Sequence, residues 1–163
     1  MNTIVKNIKT GKEYHLVKST DIKTSEEQFN NICKICNEPP ILLLFKGLES
    51  YPRTKAIDFV SWANEGWNHG SFFVFLVVNP DSDLVVGAVD IKSTDSDAEI
   101  GYWCSYNHRG LIRNCIEQLK IFAKDKGYRS LFANPINDRS VAVLEGSGFS
   151  LKKDCEKVYE YFL

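Results

Sequence analysis

No stretch of this sequence approaches the roughly 18 consecutive apolar residues that span a bilayer. The longest apolar runs are ILLLF at 41–45 and FFVFLVV at 72–78. The opening stretch, MNTIVKNIKTGKEYHL, lacks an apolar core of the secretory type. We therefore expect a cytoplasmic protein with no membrane partner. Neither sign of charge is in excess: 20 Lys and Arg face 21 Asp and Glu, a formal net charge of −1. A nucleic-acid surface needs a basic stripe, so the balance argues against that partner. It leaves room for a local anion site, which needs only local charge. Histidine is scarce and scattered, at His15, His69 and His108. The five cysteines are an odd number, which excludes a complete set of internal disulfides. Cys33 and Cys36 form a CxxC with no second copy. They share a helical face with Phe29 and Ile32, so we expect buried thiols and no metal. Repeats, low-complexity tracts and linkers are also missing, and 163 residues suit one domain, 1–163.

What is present is a clear order of elements. KEYHLVK at 12–18 alternates as a first strand. Thr24 or Ser25 caps a helix, with Glu26 and Glu27 in its first turn, that stops before Asn37-Glu38-Pro39-Pro40. ILLLFKGLES is ambiguous between a short helix and a packed loop. A second helix opens at Tyr51-Pro52-Arg53-Thr54 and ends near Gly66, with Trp67 in the following loop. FFVFLVVN (72–79) and LVVGAVDIK (84–92) make a hairpin around Pro80-Asp81-Ser82-Asp83, and EIGYWCS (99–105) adds a third strand. Ile112, Cys115, Ile116, Leu119, Phe122 and Ala123 then mark an amphipathic helix closed by Gly127. A short strand at 130–135, a helix at 138–147 and one or two final strands complete the chain. A meander joined to a strand–helix–strand crossover predicts a mixed α/β sheet with helices on its faces.

The segment between the third meander strand and its helix, Asn107-His108-Arg109-Gly110-Leu111-Ile112, holds a glycine amid basic residues. A helix N-terminus offers unpaired N–H groups and a partial positive charge, a setting that suits a diphosphate. Gly110 has no Cβ to keep a phosphate at a distance. Arg109 and Arg113 flank the turn, and His108 adds a donor. On spacing alone, a plain turn with solvated basic residues accounts for the segment equally well.

Three stretches together resemble the GNAT superfamily of acyl-CoA N-acyltransferases, most closely the branch of ribosomal-protein N-terminal acetyltransferases. They are EIGYW at 99–103, NHRGLI at 107–112, and NDRSVAVLEGSGF at 137–149. The last follows the pattern Asn-x-x-Ser-x-x-x-x-Glu-x-x-Gly-Phe. The resemblance implies a mostly antiparallel sheet of six to seven strands with about four helices. It implies acetyl-CoA as cosubstrate and direct transfer of its acetyl group to a primary amine, on a small molecule or a protein N-terminus, by a monomer or homodimer. It places the acyl-CoA site at Trp103, Cys104 and Ser105, whose backbone N–H groups hold the pantetheine and carbonyl. It adds His108, Arg109, Gly110, Leu111, Ile112 and Arg113 around the diphosphate, and Asn137 at the cofactor amides. Ser140 becomes the proton donor to the thiolate, and Glu99 the base acting through water, with Asp90 on the neighbouring strand in reserve. Segments 37–55, 65–70 and 150–160, with Glu38, Tyr51 and Trp67 among them, would wall the acceptor. Two positions depart from the pattern: Asn107 replaces Gln or Arg, and Ile112 replaces Gly or Ala. Ile112 lies on the apolar stripe, so its side chain is expected in the core. No tyrosine occurs in 138–147, where many members carry their acid. That gap supports an alternative, a non-catalytic acyl-CoA-binding or interaction module on the same fold.

Overall fold

The structure is a computed structural model and describes residues 2–163. Its strands are β1 (Asn2–Lys6), β2 (Glu13–Lys18), β3 (Phe73–Asn79), β4 (Leu84–Ile91), β5 (Asp97–Cys104), β6 (Ser130–Ala133), β7 (Ser150–Leu151) and β8 (Tyr159–Phe162). They form one eight-stranded sheet in the order β1-β2-β3-β4-β5-β6-β8-β7. Every neighbouring pair is antiparallel except β5–β6. The mixed, mostly antiparallel sheet is as expected, but it has eight strands rather than six or seven. The strand not foreseen is β1. Its Ile4 is exposed, so the alternation that betrays a half-buried strand is weak there.

The helices are α1 (Glu26–Cys36), α2 (Pro39–Leu42), α3 (Arg53–His69), α4 (Ile112–Lys126) and α5 (Asp138–Gly146). Ser25 caps α1, its hydroxyl accepting from the Gln28 amide at 3.2 Å. The ambiguous apolar stretch opens as the single turn α2, started by Pro39 and Pro40. Helix α3 runs past its expected end near Gly66 to His69, because the left-handed cap is Gly70. Gly66 is a contact glycine instead, since a Cβ there would lie 2.3 Å from the Phe72 ring. Trp67, expected in an acceptor loop, packs into the core against Phe73, Phe75 and Phe122.

The sheet separates two cores. One, beneath α4, contains Leu16, Phe75, Ile91, Ile100, Ile116 and Leu119. The other, beneath α1 and α3, contains Ile32, Val60, Val74, Leu76, Val85 and Ala88. Alternation along β5 therefore sends Ile100, Tyr102 and Cys104 toward α4 and Glu99, Gly101 and Trp103 toward the opposite face.

Candidate active site

The parallel pairing of β5 with β6 covers only Asp97–Ser130, Ala98–Leu131 and Glu99–Phe132. Beyond Glu99 the two strands part, and the edge of β5 from Ile100 onward is open. The ladder to β4 decides which amides face the gap. Lys92 N–H donates to the Glu99 carbonyl, and Ser105 N–H donates to Val86, both at 2.9 Å. The alternation of an antiparallel ladder then turns Gly101 and Trp103 toward β4, and Tyr102 and Cys104 toward the gap. Of the three amides expected at the cofactor, only that of Cys104 faces the gap. Those of Trp103 and Ser105 serve the β4 ladder, and Tyr102 supplies the second open amide.

A cleft of about 330 Å³ opens along this edge. Its walls bring together Tyr102, Trp103 and Cys104 from β5, Gly110, Ile112 and Arg113 at the start of α4, and Asn137 and Ser140 at the start of α5. These are distant in sequence, and all but Tyr102 were expected at the site. Four cations line the cleft: Lys9, Arg109, Arg113 and Arg139. Among the described residues none of them has a carboxylate within 4.0 Å. The Arg109 guanidinium lies over the Tyr106 ring at 3.5 Å, and its Nε is buried without a hydrogen-bond partner. Gly146 leaves the space beside the Arg113 guanidinium, which a Cβ would approach to 3.3 Å. Helix α4 has no side-chain cap, because its N-cap residue is Leu111. Its first-turn amides are therefore open, with the positive end of the helix dipole behind them.

The N-terminal hairpin sets the loop at 107–111. Asn7 Nδ2 donates to the Arg109 carbonyl at 3.0 Å, Ile8 N–H donates to the Gly110 carbonyl at 2.9 Å, and Asn114 Nδ2 donates to the Lys6 carbonyl at 2.7 Å. Loop oxygens are thus drawn toward the hairpin, and the cleft side is left to N–H groups, the polarity an anion requires. Gly110 has φ +104°, and a Cβ on it would lie 2.6 Å from Asn7 Oδ1. Hairpin contact and backbone conformation demand this glycine before any phosphate does. Sequence reasoning missed Asn7, Lys9 and β1 altogether, since nothing local in NTIVKNIK marks it as a support for a loop one hundred residues away.

Several expected site residues are not at the cleft. His108 turns behind the loop, where its Nδ1 bonds the Tyr14 hydroxyl at 2.8 Å. Burial, then Lys12, lowers its pKa, so it adds no standing positive charge. Leu111 is fully buried in the α4 core. Ser105 Oγ donates to Glu38 Oε1 at 2.7 Å, and Tyr106 N–H donates to Glu38 Oε2 at 2.7 Å. Glu38 thereby ties α2 to the end of β5. Tyr51, expected at the acceptor, is buried against Phe45. Ile112 is 7% exposed and packs in the core, so its bulk does not close the cleft. Glu99 lies outside it: the carboxylate is held by Lys92 Nζ at 2.7 Å, near the far end of β5.

At the α5 side, Asn137 Oδ1 caps the helix by accepting from Ser140 N–H at 2.9 Å. Its Nδ2 makes no hydrogen bond among the described residues and is free for a ligand. The Tyr102 hydroxyl donates to the Ser140 carbonyl at 3.1 Å, and burial pushes its pKa up to about 12. Tyr102 was visible in EIGYW but had no chemical pattern to single it out. Cys104 Sγ donates to the His108 carbonyl at 3.3 Å, and burial pushes that thiol up to about 12, which fits an inert thiol rather than a nucleophile.

On the opposite face of β5 stands Asp90 of β4, paired with Gly101. A Cβ at Gly101 would lie 2.8 Å from Asp90 Oδ2. Asp90 Oδ1 is buried without a hydrogen-bond partner among the described residues. Burial is the main cause of a pKa raised to about 6, with Lys92 and the Gly101 backbone opposing it and Glu99 adding to it.

No curated protein matches the chain in sequence. Solved structures share its fold. The microcin C7 self-immunity acetyltransferase MccE, solved with acetyl-CoA and AMP, superposes with TM-score 0.72 at 16% identity over 92% of each chain. RimJ of Mycobacterium smegmatis, solved with a CoA disulfide, gives TM-score 0.73 at 16% identity over 99% of this chain and 86% of its own. The Salmonella typhimurium enzyme that modifies the N-terminal serine of ribosomal protein L7/L12 gives 0.70 at 16% identity over 99% of both. A family model described as an acetyltransferase (GNAT) domain matches residues 23–150. With most of its length inside that match, and with the parted strands and open helix start described above, the chain belongs to the GNAT acetyltransferase family.

Proposed function

We propose that the protein transfers the acetyl group of acetyl-CoA directly to a primary amine. The observation that carries this reading is the meeting, in one cleft, of an uncapped α4 N-terminus, four unpaired cations and the open amide edge of β5. Acetyl-CoA has the matching parts: phosphates, an amide-bearing arm and a thioester. It supplies an activated acetyl group. The first-turn amides of α4, with Arg109 and Arg113, suit its diphosphate, by charge-assisted hydrogen bonds about twice as strong as neutral ones. The amides of Tyr102 and Cys104 and the free Nδ2 of Asn137 suit its arm. An oriented amide aimed at the carbonyl oxygen is worth about 3–4 kcal/mol in a dry cleft.

Ser140 Oγ makes no hydrogen bond within the described chain, so it is free to give a proton to the departing sulfur. Tyr102 remains a neutral phenol at every physiological pH and fixes the Ser140 backbone. Glu99 stays outside this set because Lys92 holds it. Thermal shift with CoA and with acetyl-CoA tests the reading, since a ligand that binds only the native state raises the midpoint by mass action. A rise with both, and thiol release on adding primary amines, is expected. No rise with either ligand overturns the cofactor site. A rise without thiol release favours the non-catalytic alternative.

A further inference from the structure

One carboxylate lines the cleft beside its four cations, and none of them holds it. Glu38 borders the same cavity as Trp103, Cys104 and Tyr106. Among the described residues no Lys, Arg or His nitrogen lies within 4.0 Å of it. A half-buried carboxylate without a counter-ion is uncommon, because burial makes its charge costly unless it is paired. Its place is nevertheless fixed at both ends. Pro39 holds the Glu38 backbone extended, at φ −61° and ψ 129°, where it opens α2. Ser105 Oγ donates to Oε1 and Tyr106 N–H to Oε2, each at 2.7 Å. An ionised carboxylate offers about four acceptor sites, so about two remain. They belong to a group just past Cys104, the last open amide of β5; after burial, its charge is the other cause of the raised Cys104 thiol. Arg109, in the same cleft, lies on the Tyr106 ring at 3.5 Å instead. The cavity wall that follows Glu38 in sequence is apolar: Pro40, Ile41 and Leu44, the last 38% exposed.

We propose that Glu38 binds the ammonium group of the acceptor, and that the wall beside it selects an acceptor with a single ammonium on an apolar carrier. The proposal rests on the acetyl-transfer reading and names the acceptor class of that reaction. Three features select that class. A carboxylate with spare acceptor sites and no counter-ion suits one cation, through hydrogen bonds strengthened by both charges. Because its backbone and its carboxylate are already held, little order is lost when that cation binds. Beyond it, Pro40, Ile41 and Leu44 offer no polar side chain. The second ammonium of a polyamine would lie there desolvated and unpaired, which disfavours it. An apolar chain or ring in the same place gains from burial.

The test titrates full-length protein, with and without CoA, with phenethylamine, spermidine and the uncharged control N-acetylphenethylamine, following the Tyr106 amide resonance. That N–H rests on Glu38 Oε2, so it reports on the carboxylate directly. It is expected to move saturably with phenethylamine, to need about tenfold more spermidine, and not to move with the control. Glu38→Gln keeps an oxygen for the Tyr106 N–H and is expected to weaken phenethylamine by about tenfold or more. Its midpoint rise with CoA is expected to equal that of the unaltered protein, which shows it folded with an intact cofactor cleft. Leu44→Asn, at a partly exposed position, is expected to weaken phenethylamine a few-fold and to leave spermidine unchanged; it keeps the proposal testable if Glu38→Gln does not fold. A Tyr106 resonance unmoved by phenethylamine in both conditions, an unchanged affinity in Glu38→Gln, or spermidine bound as tightly as phenethylamine overturns the proposal. If phenethylamine needs Glu38 while CoA fails to raise the midpoint, the acetyl-transfer reading falls and the ammonium site stands. If CoA raises the midpoint and amines release thiol while Glu38→Gln binds phenethylamine unchanged, the ammonium site alone falls.

Discussion

The two faces of β5 carry opposite electrostatics. Toward α4, Tyr102 and Cys104 border a cleft ringed by Lys9, Arg109, Arg113 and Arg139. Toward α1 and α3, Gly101 borders Asp90, with Glu99 two residues away. On the first face the unsatisfied groups are cations and N–H donors. On the second, the unsatisfied group is a carboxylate oxygen. A net charge of −1 conceals this local concentration of cations at the cleft, where Glu38 is the one carboxylate among the lining residues. The cationic face is the one that suits the anionic cosubstrate of the proposed reaction.

The largest expected effect is on the cationic face. Gly110→Val places a β-branched residue at φ +104° and a Cβ within 2.6 Å of Asn7 Oδ1. Left-handed strain of this kind costs about 1–3 kcal/mol before any clash. The hairpin has to withdraw and the loop to rotate its oxygens toward the cleft. The midpoint should fall by several degrees, and CoA should no longer raise it. A variant that still binds CoA normally would show that the hairpin does not set the loop.

The acidic face should respond in the other direction. Burial pushes the Asp90 carboxyl up to about 6, against 3.8 ordinarily. Between those values the native state holds a proton that the unfolded chain has released, so stability falls as pH rises through that window. Above about pH 6 the full penalty is present, up to about 3 kcal/mol. Asp90→Asn should therefore raise the midpoint at pH 7, and the gain should vanish below about pH 4. Denaturation across pH 3–8 measures it. A variant less stable at neutral pH would mean that Asp90 has an internal partner.

What the sequence disclosed and what it hid divide along the same line. Local patterns were enough for α1, α4, α5 and the β3–β5 meander, because amphipathic spacing and caps are properties of neighbouring residues. The pairing of NHRGLI with the Asn137–Phe149 segment was also legible, since both keep family spacing. Side-chain direction was not. Whether Cys104 or Trp103 turns its amide to the cleft depends on the ladder to β4, and His108 points backward because Tyr14 waits behind the loop. Glu99 looked like a base because it shares a strand with the site, but a strand of eight residues is long enough to put its two ends in different environments. Asp90 became distinctive only once Gly101 was seen across from it.

A smaller effect is expected at Tyr102. Tyr102→Phe removes one hydrogen bond to the Ser140 carbonyl while keeping the ring. The loss should be about 1 kcal/mol in stability, with CoA affinity reduced a few-fold as α5 loosens. Titration of CoA into both proteins measures it, and an unchanged affinity would separate Tyr102 from the cofactor site.

The smallest effect discriminates most sharply between two roles for one residue. Glu99→Gln breaks an ion pair whose side chains are 45% and 34% exposed, worth at most about 1 kcal/mol. If Glu99 were the base, maximal turnover would fall near neutral pH while amine affinity held. If instead it only restrains Lys92, the freed ammonium swings to Asp90 two residues away and stabilises its charged form. Then kcat is spared, the midpoint at pH 7 rises, and Lys92→Met in the same protein removes the rise. Steady-state kinetics and thermal unfolding of the single and double variants separate the two. Only the restraint role predicts that dependence on Lys92, because the loss of a base is indifferent to a neighbouring lysine.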